Sequence, residues 1–377
     1  MNGRTRVSQY APGALMAHRK IHVACLITDL DTGGAENNLA MLATGLDTRR
    51  FTVSVASLMP PGKIGRDLLA RGFPVTDIHM TSCTDLRAPA RVVEWLRRTR
   101  PDILHTWLFH ANILGGFSAA LARVPVVIWS VRVAEPRRSH LALSALALGL
   151  ARHVLANSES LRAYLVRRGI DSRKLSVVPN AVDLQRFARP REVNPGKPIV
   201  LFIGRLTRQK GVDVLLRAAQ ALQGRIDVQI NIVGEGPDRP DLLQLARDLN
   251  LANVKFLGQS DRVPELLASA DVLVLPSRWE GMPNVVLEAL AARCPVVATN
   301  TTGTLDLIRN GENGLLVPVN SYLALADGIE LVIKDRLLAR SLAKKGYETA
   351  SGYSPGAMVQ AHENLYLTLQ AKARIRL

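Results

Sequence analysis

The feature that most constrains the fold is an alternation that runs twice along the chain. Short runs rich in Val, Ile and Leu alternate with longer stretches of helical periodicity. Ile21–Ile27 precedes a helical Glu36–Gly45, Phe51–Ser57 precedes Ile64–Arg71, and Val75–Ile78 precedes Ala90–Thr99. Further strands are expected at Ile103–Thr106, Val126–Trp129 and His153–Asn157. Strands that are apolar on both faces and separated by helices predict a parallel sheet covered on both sides. The alternation breaks at Arg186–Pro198, where Pro190, Pro195, Gly196 and Pro198 stand among charges. It then restarts, with strands expected at Ile199–Ile203, Val228–Val233, Val254–Leu257, Val272–Leu275 and Val296–Thr299. The helices expected between them are Val212–Leu222, Pro240–Leu249, Val263–Ser269 and Asn284–Ala292. The expectation is an α/β protein of two Rossmann-like domains whose parallel sheets face each other across a cleft. A chain of 377 residues is long enough for two such cores. Ligands of this architecture lie at the carboxyl ends of the strands.

Residues 1–18 read as a loose leader, too weakly apolar for a signal peptide, and Met16 is an alternative start. No run is long enough to span a membrane. Cys25, Cys83 and Cys294 are far apart and form no C-x-x-C pair, and Cys25 and Cys294 sit inside apolar runs, so buried thiols in a reducing, cytoplasmic setting are expected rather than structural zinc. The net charge is +16, and the first half carries most of it: residues 1–193 hold 27 Lys and Arg against 14 Asp and Glu. That half favours an anionic partner, and an anionic membrane surface fits better than nucleic acid, for which no aromatic-rich basic motif is present. Leu141–Leu150, between Arg137, Arg138 and Arg152, reads equally as an interfacial helix or a core helix.

Four segments carry candidate chemistry. Glu280-Gly-Met-Pro-Asn-Val-Val-Leu-Glu288 follows a buried strand and opens a helix, whose first unpaired N–H groups around residues 282–285 suit a phosphate. Glu280 and Glu288 are then placed to accept paired hydroxyls at either end of such a ligand. Gly204-Arg205-Leu-Thr-Arg-Gln-Lys210-Gly211 also joins a strand to a helix, and Arg205 and Lys210 offer a guanidinium fork and a point charge to a diphosphate. Gly33-Gly34-Ala-Glu follows the first strand and lets a backbone approach a ligand closely. His105-Thr-Trp-Leu-Phe-His110 places His110 where its strand enters the cleft, ahead of a helix starting in Ala-Asn-Ile-Leu-Gly-Gly.

Together with Val233-Gly-Glu-Gly-Pro237 and Val178-Pro-Asn-Ala-Val-Asp183, these motifs resemble retaining glycosyltransferase family 4, the group 1 glycosyltransferases of GT-B fold. The resemblance runs from about Ile21 to about residue 370. It implies an N-terminal acceptor-binding domain over 19–188 and a nucleotide-sugar donor domain over 189–355. A final helix, 356–377, would return to the first domain. It implies that Glu280 contacts the donor sugar and Glu288 the ribose. Arg205, Lys210 and the backbone of Gly281, Met282, Pro283, Asn284 and Val285 would bind the diphosphate. Gly34 would lie against the phosphates from the other domain, His110 near the reacting carbon, and Leu257, in the loop around Phe256–Gly258, beside the base. The catalytic set is thus Glu280, His110, Arg205 and Lys210, with no metal or other cofactor required. The acceptor is expected to be a glycan or lipid-linked molecule in bacterial polysaccharide or envelope synthesis, at the cytoplasmic face of the inner membrane. Three positions depart from the family pattern: Trp107 where a second His is common, Ala181 where Gly is usual and Asp306 where Glu is usual.

Two short matches are decoys. Asp29-Leu-Asp31 has the D-x-D form of metal-dependent transferases, and Asp31-Thr-Gly33 the aspartic protease triplet, which needs a second such carboxylate in a β-rich fold. The rival readings are a nucleotide-sugar epimerase of the same fold, which would need no acceptor, and a non-catalytic nucleotide-sugar-binding subunit.

Overall fold

The computed structural model describes residues 19–82, 84–133, 149–190 and 196–375. The leader, Cys83, Arg137, Arg138 and residues 141–148 of the Leu141–Leu150 run lie outside them.

The chain forms two parallel sheets. The first has the order β3-β2-β1-β4-β5-β6-β7, built from Ile21–Ile27 (β1), Phe51–Ser57 (β2), Val75–Asp77 (β3), Ile103–Trp107 (β4), Val126–Val131 (β5), His153–Ala156 (β6) and Leu175–Val177 (β7). The second has the order β10-β9-β8-β11-β12-β13. Its strands are Ile199–Ile203 (β8), Gln229–Val233 (β9), Val254–Gly258 (β10), Val272–Leu275 (β11), Val296–Thr299 (β12) and Leu315–Val317 (β13). In each sheet the strand order reverses once, at β1/β4 and at β8/β11, and the crevice at such a reversal is where this architecture binds ligands. Helices cover both faces of each sheet, which is why β1, β4, β11 and β12 are almost wholly buried along their length.

The expected strands are present, with ends displaced by a residue or two. Two three-residue strands, β7 and β13, were not anticipated, because three residues are too few to carry a period. The second correction concerns His110. β4 runs one residue further than expected, Leu108 turns the chain at φ 71°, and the helix starts at once at Phe109. His110 therefore sits in the first turn of helix Phe109–Ala122 rather than at a strand end.

The chain crosses between the sheets twice, side by side. Val182 N donates to Tyr353 O at 2.9 Å, tying the first crossing to the second. The first crossing is no loose tether, since Val178, Asn180, Ala181 and Val182 are all buried. Ala181 N donates to the buried Asn38 Oδ1 at 2.9 Å, and Ala181 does not adopt a positive φ, so its methyl is accommodated without strain. After the second crossing, helix Pro355–Arg374 opens on Ser354, whose hydroxyl accepts Ala357 N at 3.2 Å, with Pro355 at its first position. This helix packs on the first sheet, burying Met358, Val359, Tyr366, Leu369 and Ala373 in that sheet's core. Tyr366 Oη lies 2.7 Å from His105 Nδ1, and Asp47 N donates to Glu363 Oε1 at 2.7 Å.

Candidate active site

Between the carboxyl ends of the two sheets lies a cleft of about 2800 Å³. It is lined from the first sheet by the Gly33–Glu36 turn, His110 and Arg132, and from the second by Arg205, Lys210, Glu280, Met282, Pro283, Asn284, Val285 and Glu288.

Two loops of the second sheet are stitched into one surface. Arg278 N donates to Gln209 O at 2.7 Å, Gln209 Nε2 to Trp279 O at 2.9 Å, and Arg278 grips Asp213 at 2.7 and 2.9 Å. Gly211, at φ 65°, makes this contact feasible, because a Cβ there would stand 2.2 Å from Pro276 O. The stitching brings Lys210 Nζ to 2.5 Å from Glu280 Oε1, and Ser277 Oγ donates to the same oxygen at 2.7 Å. Glu280 is 4% exposed. One carboxylate oxygen is thus anchored twice on a residue that lines the cleft, an arrangement that suits a hydroxyl-reading carboxylate.

Helix Asn284–Ala291 begins beside it with no side-chain cap, so its first N–H groups face the cleft. Asn284 does not cap its own helix. Its Nδ2 donates to Gly34 O at 2.9 Å across the cleft, and its Oδ1 accepts Asn180 Nδ2 at 2.5 Å. Gly34 therefore lies directly against this helix start, where a Cβ would come within 3.0 Å of Asn284 Nδ2. Gly281 is buried behind the lining, its Cα pressed so close to Arg132 O that a Cβ would be 1.7 Å away. Leu257 stands apart from the other candidates. It lies on edge strand β10 with 45% of its surface exposed and is absent from the cleft wall, which Gln259, Ser260 and Asp261 supply just beyond it.

Glu288, partly buried five residues into the helix, has its carboxyl pushed up to about 7 by burial, with Arg186 opposing the shift. Because this value lies above the 4.5 of an ordinary Glu, the stability it contributes is fully present below about pH 4.5 and is lost as pH rises through 7. Glu288→Gln should therefore gain on the parent by up to about 3 kcal/mol between those limits. Denaturant melts of both proteins from pH 4.5 to 8, without ligand, measure this. Parallel stability profiles would rule it out.

Several contacts of the site carried no sequence signal, although Asn180 and Glu36 lie within the Val178–Asp183 and Gly33–Glu36 motifs. Ser277 supports Glu280, and Asn180 holds Met282 O at 2.9 Å as well as Asn284. Glu36 is buried with its carboxyl raised to about 7, by burial first and by Asp29 beside it, against the pull of Arg205. Arg132 follows the carboxyl end of β5, a position the strand-end rule would have flagged had it been applied to every strand. Trp107 does not line the cleft. It is fully buried and lies 4.1 Å beneath the Arg132 guanidinium. Asp306 does not reach into the cleft either. Its two oxygens accept Ser160 N at 2.9 Å and Ser160 Oγ at 2.7 Å, linking the two halves. Lys63 and Asp261, 2.5 Å apart, and Thr32 with Gln259 bridge the cleft elsewhere. Of the D-x-D pair, Asp31 accepts Lys63 N at 3.2 Å.

Comparison with known proteins agrees with this architecture. Residues 32–186 match Glycosyltransferase Family 4, and residues 185–349 match Glycosyl transferases group 1. The chain is 28% identical over 346 residues to the lipopolysaccharide core biosynthesis glycosyltransferase LpsE of Rhizobium meliloti, covering 88% of this chain and 95% of that one. It is 31% identical over 351 residues to the D-inositol 3-phosphate glycosyltransferase of Pseudarthrobacter chlorophenolicus, covering 81% and 83%. It is 27% identical over 309 residues to the Escherichia coli UDP-Gal:alpha-D-GlcNAc-diphosphoundecaprenol alpha-1,3-galactosyltransferase, covering 76% and 80%. The crystal structure of Anabaena Alr3699/HepE with UDP and glucose superposes with a TM-score of 0.80 at 21% identity, over 92% of this chain and all of that one. The chain belongs to glycosyltransferase family 4, the group 1 glycosyltransferases of GT-B fold, and is a glycosyltransferase.

Proposed function

We propose that the chain transfers a sugar from a nucleotide-diphosphate sugar to a polysaccharide or lipid-linked acceptor with retention of configuration and without a metal ion. The carrying observation is Glu280, held by Lys210 and Ser277 beside the open N-terminus of helix Asn284–Ala291. In this reading Glu280 holds the sugar hydroxyls and Glu288 the ribose. Arg205, Lys210 and the helix start receive the diphosphate, with Gly34 against it from the first domain.

Breaking the sugar–phosphate bond leaves positive charge on the ring and negative charge on the departing diphosphate. Two cations and a helix N-terminus facing that charge stabilise it by preorganised electrostatics, which is why no metal is required. Lys210 already neutralises Glu280, so a phosphate arriving beside it shares the ammonium rather than meeting a bare carboxylate. Acceptor attack comes from the leaving-group face, with a phosphate oxygen taking the proton. His110, in the cleft wall of the first domain, is assigned to the sugar near its reacting carbon.

The E. coli relative is named for a UDP-sugar donor and a diphosphoundecaprenol-linked acceptor, and HepE was solved with UDP and glucose. These support a nucleotide-activated sugar and a lipid-linked acceptor, which we assign to the cytoplasmic face of a membrane. The basic first half, +13 of the +16 charge, supports attachment to anionic lipid there. No helix among the described residues is long and apolar enough to cross a membrane.

The test is thermal stabilisation by UDP-, GDP-, ADP- and dTDP-sugars with chelator present. At a hundredfold excess over Kd, one nucleotide class should stabilise the fold by about 2.7 kcal/mol and so raise Tm. A rise that disappears with chelator would overturn the metal-free reading. No rise with any donor, from folded protein, would overturn the donor site.

A further inference from the structure

We propose that Arg132 binds substrate: its guanidinium reads the negative charge of the bound nucleotide sugar, supplying from the first domain a third cation beside Arg205 and Lys210. The inference rests on the donor-site reading above and adds to it a residue outside the family motifs.

The observations are geometric. Arg132 lies in the cleft wall just after β5. Its guanidinium stacks 4.1 Å over the Trp107 ring, and Nη1 donates to Asn180 Oδ1 at 2.5 Å. Its Nε is buried and has no hydrogen-bond partner, and among the described residues no carboxylate pairs with it. The surroundings fix the side chain firmly. Trp107 is flanked by His105 at 4.9 Å and His362 at 6.2 Å, the latter from the returning C-terminal helix.

A half-buried guanidinium that no carboxylate contacts among the described residues is costly, and one neutral amide and one ring offset only part of that cost. Burial also depresses its proton affinity, to about 9, with Glu36 the first group opposing. A fold that immobilises in a ligand cleft a cation that no described carboxylate contacts has prepared an anion site. The location says which anion. Arg132 O touches Gly281, the residue after Glu280, while the guanidinium holds Asn180, which in turn holds Met282 O and Asn284 at the donor helix start. Arg132 thus meets the donor where its sugar joins its diphosphate. The anionic oxygen belongs either to the diphosphate or to an acidic substituent of the sugar.

The test uses the full chain and the nucleotide base identified by the panel above. Binding of the nucleoside, its diphosphate, its diphosphoglucose and its diphosphoglucuronate is measured for the parent, Arg132→Met and Arg132→Lys. Loss of a charge-assisted bond should weaken the charged ligand about tenfold or more in Arg132→Met, with nucleoside binding unchanged and Arg132→Lys intermediate. Weakening of the diphosphate itself assigns the anion to the leaving group. An unchanged diphosphate with selective weakening of the glucuronate assigns it to the sugar. Unliganded Arg132→Met should melt no lower than the parent, because a partly desolvated charge with no carboxylate in contact among the described residues has been removed. A variant that melts lower yet binds every ligand as the parent does would make Arg132 a structural residue and overturn the proposal. Arg205→Ala serves as control. If it loses the diphosphate while Arg132→Met keeps both charged ligands, the donor-site reading stands and this one fails. A parent that binds no nucleotide ends both.

Discussion

Glu280→Gln should lower kcat by about 10²–10³-fold while leaving the protein folded and able to bind nucleoside diphosphate. The substitution keeps volume and hydrogen-bonding capacity but removes the charge. Ser277 Oγ, now 2.7 Å from Oε1, retains an acceptor in the amide oxygen. Lys210 loses its ion pair, and at 18% side-chain exposure it can turn to an incoming phosphate. Affinity for the diphosphate alone should therefore hold or rise. What disappears is the extra affinity and alignment conferred by the sugar, because residue 280 no longer accepts as a carboxylate does. Turnover with saturating donor, together with thermal shifts from the diphosphate and the diphospho-sugar, separates these effects. Unchanged turnover would sink the role given to Glu280. Equal loss of diphosphate and diphospho-sugar binding would move that role from the sugar to the phosphates.

The architecture was legible because parallel strands buried on both faces cannot hide their composition. Ile21–Ile27, Phe51–Ser57, Ile199–Ile203 and Val272–Leu275 are read from the sequence with the limits the structure gives them. Loops of marked glycine and charge content were legible for a related reason, since Gly211 and Gly281 stand where no Cβ fits. What escaped notice depends on contacts between residues far apart in the chain. Ser277 is an ordinary polar residue until Glu280 is brought to it, and Asn180, though part of the Val178–Asp183 motif, shows its role only once Asn284 lies beside it. Asp306 reads as a shortened site residue, whereas its carboxylate binds Ser160, 146 positions earlier, and holds the two halves together. Arg132 looks like one of many arginines in a basic half, and its ring stacking and the lack of a contacting carboxylate among the described residues set it apart. Leu257 falls on the exposed face of edge strand β10, the face it shares with Lys255 by alternation, and the loop just beyond it lines the cleft.

Lys210→Met should destabilise the unliganded protein by about 3 kcal/mol, because it leaves the Glu280 carboxylate buried without its cation. Glu280 and Lys210 side chains are 5% and 18% exposed, so the pair is screened little by water and the orphaned charge has few alternatives. It can keep the Ser277 bond, or it can take a proton. Adding Glu280→Gln to Lys210→Met should then recover stability, since the charge left unpaired is removed, even though each single change is unfavourable. The coupling in a double-mutant cycle is expected to be large and of that sign, as for residues in direct contact. Activity should follow a different course. Lys210→Met also removes a cation from the departing diphosphate, and the double variant restores neither that charge nor the sugar-reading carboxylate, so it should be stable and inactive. Denaturant melts of the four proteins, read beside their turnover, test this division. Additive stabilities would mean that the 2.5 Å contact carries no net energy, and activity recovered with stability would mean that the pair is structural rather than part of the donor site.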